Sequence, residues 1–112
     1  MNEEKIKCLL LINENKKITV TALAKKMNVS KATMSRMVSS FYEEGYTLEQ
    51  GKCLLSKKGK NYIEETKRKI KNLTYWLQKT SRLNEEEAHQ EAIKLFTTLN
   101  KETIERICSR IH

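Results

Sequence analysis

Between Ser30 and Ser39 the chain carries side chains suited to one kind of chemistry, the recognition of a polyanion. Lys31, Thr33, Ser35, Arg36 and Ser39, with Ala32 among them, are small, polar or cationic, and no carboxylate interrupts them. Hydroxyls and ammonium groups bond phosphate oxygens, and an Arg fork matches the two acceptors on a guanine edge. The bias extends outwards. From Asn15 to Tyr42 there is no acidic residue, while Lys16, Lys17, Lys25, Lys26, Lys31 and Arg36 all fall there. From Asn84 to Glu105 the balance reverses, with Glu85, Glu86, Glu87, Glu91, Glu102 and Glu105 against Lys94 and Lys101. A merely solvated helix face mixes Glu with Lys, so an acid-free face implies approach to phosphate.

Other chemistries find less support. There is no Asp, no glycine-rich phosphate loop, and no Ser-His or Cys-His arrangement with an orienting acid, so an enzyme is not expected. Cys108 and His112 are four apart, a spacing zinc accepts on a helix, and His89 and Cys8 are further potential ligands. Yet Cys108 completes an apolar stripe, and a free Cys behaves as a small hydrophobe. His112 closes the sequence, so no metal site is expected there. Three cysteines without a CxxC fit free thiols in a reducing compartment. Only Lys7 and Lys52 stand beside a cysteine to lower a thiol pKa, so no redox switch is expected either.

These groups must be held by few and long elements. The chain has 112 residues, no Pro and three Gly, with 22 Lys and Arg against 14 Glu for a net charge of +8. That is one domain, or one domain with an appendage, built mostly of helices. The longest apolar run, Cys8–Ile12, is too short to span a membrane. No charged-then-apolar leader opens the chain, so a cytoplasmic location is expected.

Ile6, Leu9 and Leu10 recur at helical spacing and predict a first helix over Glu3–Asn13. Ile18-Thr19-Val20 is β-branched and predicts a brief extended stretch, with Thr21 capping a second helix from Ala22 to about Met27. Asn28-Val29 makes a tight turn. Ser30 then caps a third helix over Lys31–Glu44, ended by Gly45. Met34, Met37, Val38 and Phe41 give that helix one apolar stripe, and the polar cluster lies opposite. Two helices joined by a short turn, the second bearing a small-residue cationic face, form a helix-turn-helix pattern. Tyr46–Glu49 and Lys52–Leu55 around Gln50-Gly51 predict a hairpin, the wing of a winged helix. Ser56 caps a long helix to about Gln78, with Ile63, Thr66, Ile70, Leu73 and Leu77 on a heptad-like seam. Two further helices follow, one with Ala88, Ala92, Leu95, Phe96 and Leu99 on a face, the other with Ile104, Ile107, Cys108 and Ile111.

The fold class expected is therefore mostly α: a winged helix-turn-helix DNA-binding domain over 1–60, then an all-helical dimerisation domain over 61–112. Ile63, Ile70, Leu73, Trp76, Leu77, Leu95, Phe96, Ile104, Ile107 and Ile111 are the expected dimer contacts.

The order of these elements resembles the metal-dependent repressors of the diphtheria toxin repressor and manganese transport regulator family. The resemblance rests on Ile18–Met27, Val29–Met34, and Leu55-Ser56-Lys57-Lys58-Gly59, which is similar to the family's wing-closing Leu-Thr-x-x-Gly. Glu85–Ala88, Glu91-Ala92 and Leu99–Glu102 match its dimerisation helices in spacing. The likeness covers nearly the whole chain, in the shorter two-domain form. Its first half is shared with other winged helices, including multiple-antibiotic-resistance regulators. The resemblance implies a bacterial transcriptional repressor, a homodimer, and a metal cofactor. The implied metal ligands are largely missing. Ile70 stands where the family has a His; Ile93, Phe96 and Thr97 replace its Cys or Glu and Glu-His; Ile6 replaces one acid of the first helix, and Glu3 matches the other. An Ile has no lone pair for a cation. No cofactor is expected, and manganese, iron or zinc would have to use Glu3, Cys108 and His112.

The expected partner is double-stranded DNA with a pseudo-palindromic operator. Lys31, Thr33, Ser35 and Arg36 would make most base-proximal contacts, with Ser39 nearby. Ser30, Lys16, Lys17, Lys25, Gln50, Lys52 and Lys57 would meet the backbone. Two rival readings stand beside this. One is a multiple-antibiotic-resistance-type regulator whose Tyr62, Tyr75 and Trp76 line a small-molecule pocket. The other is a winged-helix protein-interaction module that no longer binds DNA.

Overall fold

The computed structural model describes residues Met1–Arg110. Six helices follow in order: α1 Glu3–Glu14, α2 Val20–Met27, α3 Lys31–Glu43, α4 Lys57–Ser81, α5 Glu85–Thr98 and α6 Lys101–Ser109. The chain divides into two compact units, one of Glu4–Glu64, the other of Met1–Glu3 with the chain from Glu65 onward. No helix among the described residues is long and apolar enough to cross a membrane.

In the Glu4–Glu64 unit the apolar stripes converge as their spacing requires. Cys8, Leu9 and Ile12 of α1, Leu23 and Ala24 of α2, Met34, Val38 and Phe41 of α3, Cys53, and Ile63 of α4 form one core. Phe41 is fully buried, and emptying such a site to Ala costs about 3–5 kcal/mol.

The helix ends are set by side chains. Ser30 Oγ accepts from Thr33 N at 3.0 Å, the N-cap expected for α3. The cap of α2 lies earlier than the sequence pattern suggested. Thr19 Oγ1 accepts from Ala22 N at 3.1 Å, and Val20 is already helical. The β-branched run shortens to its first two residues because a Thr oxygen at that position satisfies an orphan N–H. Asn28 takes the left-handed conformation, φ 55°, which turns the chain from α2 into α3.

The wing is more compact than a hairpin of two strands. Thr47 and Leu55 form one isolated antiparallel bridge, and Leu48 N donates to Leu54 O at 2.9 Å. The left-handed Gly45 (φ 86°) and Gly51 (φ 76°) turn the chain at its base and tip, leaving too few paired residues for a ladder. One hydroxyl closes the base. Ser56 Oγ donates to Gly45 O at 2.5 Å and accepts from Gly59 N at 3.0 Å, so the cap of α4 is also the latch of the wing. Gly59 is required by packing, because a Cβ there would lie 2.1 Å from Tyr46 O.

The second unit holds most of α4, with α5 and α6. Asn84 and Glu87 form a capping box at the start of α5, and Asn100 Oδ1 accepts from Thr103 N at 2.8 Å to start α6. Its buried residues include Ile70, Leu73, Ala88, Ala92, Ile93, Ile104 and Cys108. Lys69 is buried as well, and its Nζ lies 2.7 Å from Glu105 Oε1 and 3.9 Å from Glu65 Oε1. Breaking such a pair strands a buried charge, so it fixes α4 and α6 in one register.

Candidate nucleic-acid interface

Helix α3 buries Met34, Val38 and Phe41 and thereby turns the opposite side outward. Lys31, Ala32, Ser35 and Arg36 are exposed, and Thr33 and Ser39 are half-buried. A short hydroxyl chain organises the start of the helix. Ser30 Oγ donates to Thr33 Oγ1 at 2.9 Å, and Arg36 Nη2 lies 3.5 Å from the same oxygen. The guanidinium keeps its other donors, and it enters no ion pair among the described residues.

The wing is held against this helix. Gln50 Nε2 donates to Ser39 Oγ, so two residues expected to meet DNA separately are hydrogen-bonded to each other. Beside them is a cleft of about 500 Å³ lined by Lys16, Lys17, Lys31 and Lys52, with Thr19, Thr21 and Gly51 among its other lining residues. No carboxylate lines it. Lysines from the α1–α2 loop, the start of α3 and the wing tip thus share one concave surface. Close cations without a compensating acid attract a phosphate backbone. Lys52 also lies 3.8 Å from Glu49 Oε2. Lys16 and Lys17 line a second cleft with Lys26, a residue absent from the expected contacts. Lys25 and Lys57 are exposed but line neither cleft. Thr19 and Thr21 were missed as lining residues because the sequence offers Thr19 only as part of a β-branched run and Thr21 only as a cap.

The expected dimer contacts need correction. Ile63, Ile70, Leu73 and Ile104 are buried within the chain itself, so they have no surface to offer a second copy; an apolar stripe does not tell whether its partner is intramolecular. Trp76, Leu77, Leu95, Phe96 and Ile107 keep partial exposure. Trp76 and Ile107 line a cleft of about 270 Å³ with Thr103, Arg106 and Arg110. Ile111 lies outside the described residues. Of the aromatic residues of the small-molecule reading, Tyr62 packs on Tyr46 at 5.1 Å between ring centroids, and Tyr75 is exposed under Lys79.

The positions that the family resemblance assigns to metal do not suit one. Ile6, Ile70 and Ile93 are buried hydrocarbon, and Thr97 Oγ1 donates to Lys94 O at 2.9 Å. Cys108 is buried, its Sγ against Lys69 O at 3.9 Å, and burial pushes its thiol up. His112 lies outside the described residues, and among those residues no group of three or more His, Cys, Asp or Glu could hold a metal ion. The other thiols are also poor nucleophiles. Burial, with a smaller contribution from Cys53, pushes Cys8 up to about 12, and burial raises Cys53 as well.

A helix-turn-helix with a short wing and a cationic recognition face defines a DNA-binding regulator class. Comparison with known proteins gives the family. The MarR family matches residues 1–47, and the iron dependent repressor, metal binding and dimerisation domain matches residues 56–112. The chain belongs to the iron-dependent repressor family, whose members are transcriptional regulators and not enzymes. Among solved structures it is similar to the crystal structure of T. acidophilum IdeR, at 18% sequence identity and a TM-score of 0.72, over 98% of this chain and 53% of that one. That likeness is one of fold, and the chain spans about half the length of that relative. No curated protein matches the sequence.

Proposed function

We propose that this chain is a homodimeric, sequence-specific regulator that binds a pseudo-palindromic operator without a metal cofactor. Residues 1–60 read the DNA, and residues 61–112 join two copies through Trp76, Leu77, Leu95, Phe96 and Ile107. The observation that carries the reading is the cationic surface shared by α3 and the lysine cleft, where Lys16, Lys17, Lys31 and Arg36 enter no ion pair among the described residues and Lys52 alone has a carboxylate near it. Arg36, exposed on α3 with its donors available, reads guanine. Lys31, Thr33, Ser35 and Ala32 approach the neighbouring bases. Ser30, Lys16, Lys17, Lys25, Lys52 and Lys57 hold phosphates, and Gln50 and Ser39 fix the wing beside them. Phosphate contacts set orientation, and base contacts set sequence. The missing donors at Ile6, Ile70, Ile93 and Phe96 support metal independence, because hydrocarbon cannot ligate.

The test is fluorescence anisotropy with DNA from upstream of the protein's own gene, against scrambled DNA and against a single half-site. The expected result is salt-steep binding that prefers the intact site, with two chains per duplex. Equal affinity for intact, half and scrambled DNA would overturn the reading.

A further inference from the structure

The Glu4–Glu64 unit has another cleft whose chemistry differs from that of the phosphate surface. It measures about 190 Å³ and is lined by Ile12, Leu48, Leu54 and Leu55, with Cys53 beside them. Its charged lining residues are Lys16 and Lys60, and no carboxylate lines it. Asn13, its remaining polar group, is engaged: its Nδ2 donates to Glu64 Oε1 at 3.2 Å. Two of the leucines stand in water, Leu48 62% and Leu54 42% exposed. Apolar side chains gathered at a cleft and flanked by cations fit a ligand with a hydrocarbon body and an anionic end.

We propose that this cleft binds a small amphipathic acid, a compact aliphatic body carrying one carboxylate, and that its occupancy opposes DNA binding. The cleft's volume of about 190 Å³ is on the scale of a small hydrocarbon body, a cavity of roughly 150 Å³ holding one benzene ring. The carboxylate pairs with Lys16 and Lys60, and the hydrocarbon covers Leu48 and Leu54. Coupling to DNA follows from shared residues. Lys16, Cys53 and Leu54 also line the lysine cleft, so a carboxylate on Lys16 withdraws a cation from the phosphate surface. This regulatory half rests on the DNA-binding reading above; the ligand site does not.

The probe is sodium octanoate, titrated into the full chain and followed by methyl NMR. Acetate and octylammonium at equal ionic strength are the controls. The Ile12, Leu48 and Leu54 methyls should shift saturably with octanoate and with neither control. Lys60→Gln should weaken octanoate about fivefold, the scale of one exposed charge pair, and leave operator affinity unchanged. In the wild type octanoate should weaken operator binding, and less so in Lys60→Gln. Unsaturable shifts, an equal response to octylammonium, or shifts centred on Trp76 would overturn the site. Binding to phosphatidylglycerol vesicles without saturable octanoate binding would also overturn it, by assigning the leucines to a lipid surface. Octanoate binding with unchanged operator affinity would overturn the regulatory half alone. The NMR arm needs no DNA, so a failure of operator binding does not decide it.

Discussion

In the second unit four cations, Arg68, Lys69, Lys94 and Arg106, are matched to carboxylates, whereas along α2, α3 and the loop before α2 none is matched among the described residues. Lys69 meets Glu65 and Glu105, Arg68 meets Glu65, Lys94 meets Glu91, and Arg106 meets Glu102. The acids respond: a hydrogen bond from Arg68 lowers the pKa of Glu65, and one from Lys69 lowers that of Glu105. Lys16, Lys17, Lys25, Lys31 and Arg36 enter no such pair among the described residues. Exposed pairs add little stability, so their main effect is to cancel a field. Where the field is left standing, an external polyanion can meet it. One chain thus uses the same residue types in two ways, and the difference is the presence of Glu within reach.

The comparison can be broken at several points. The largest effect is expected from Gly59→Ala, which forces a Cβ against Tyr46 O where the wing joins α4. It should cost about 3 kcal/mol, at the upper end for overpacking, read as a lower urea midpoint. An unchanged midpoint would mean that the wing base is slack. Next, Arg36→Ala should cost about 1–3 kcal/mol of operator affinity per half-site and leave scrambled-DNA binding nearly intact. The matched control is Arg68→Ala, which should change neither; equal losses from both would erase the distinction between the units.

The third effect is stability against pH. The folded-state pKa of Cys8 lies above its ordinary 9.0, at about 12, so the folded form keeps a proton that the unfolded chain releases. The contribution is complete below pH 9 and is lost as pH rises towards 12, amounting to about 1.4 kcal/mol by pH 10. Urea titrations should show a steeper alkaline decline in wild type than in Cys8→Ala; parallel curves would contradict the burial account. Smallest is the salt response. Lys17→Gln should reduce the slope of log affinity against log salt by about 0.9 per bound chain, about 1.8 for the dimer, equally for all sequences. A loss confined to the operator would make Lys17 a base contact.

Much of this was legible because periodicity and caps are local. Ser30 and Ser56 start their helices as their types suggest, and the Met34, Val38 and Phe41 stripe points inward. What was hidden depends on distant partners. The seam on α4 reads as a dimer face, yet Ile63, Ile70 and Leu73 are buried by their own chain. Lys69 reads as one more solvated lysine and is buried between two glutamates. Gln50 and Ser39 both read as DNA contacts, and neither residue type alone signals that they also bond each other. Lys60 and Leu48 carry no sequence signal, because a cleft between the wing and α1 exists only once both are folded.

The central claim is that the unmatched cations, and not a bound metal, give this chain its hold on DNA. It is tested most directly by operator anisotropy in excess chelator, repeated with manganese, iron and zinc. The account predicts the same affinity and the same salt slope in every case. Binding that appears only when a metal is added would contradict it, and would turn attention to Glu3, Cys108 and His112.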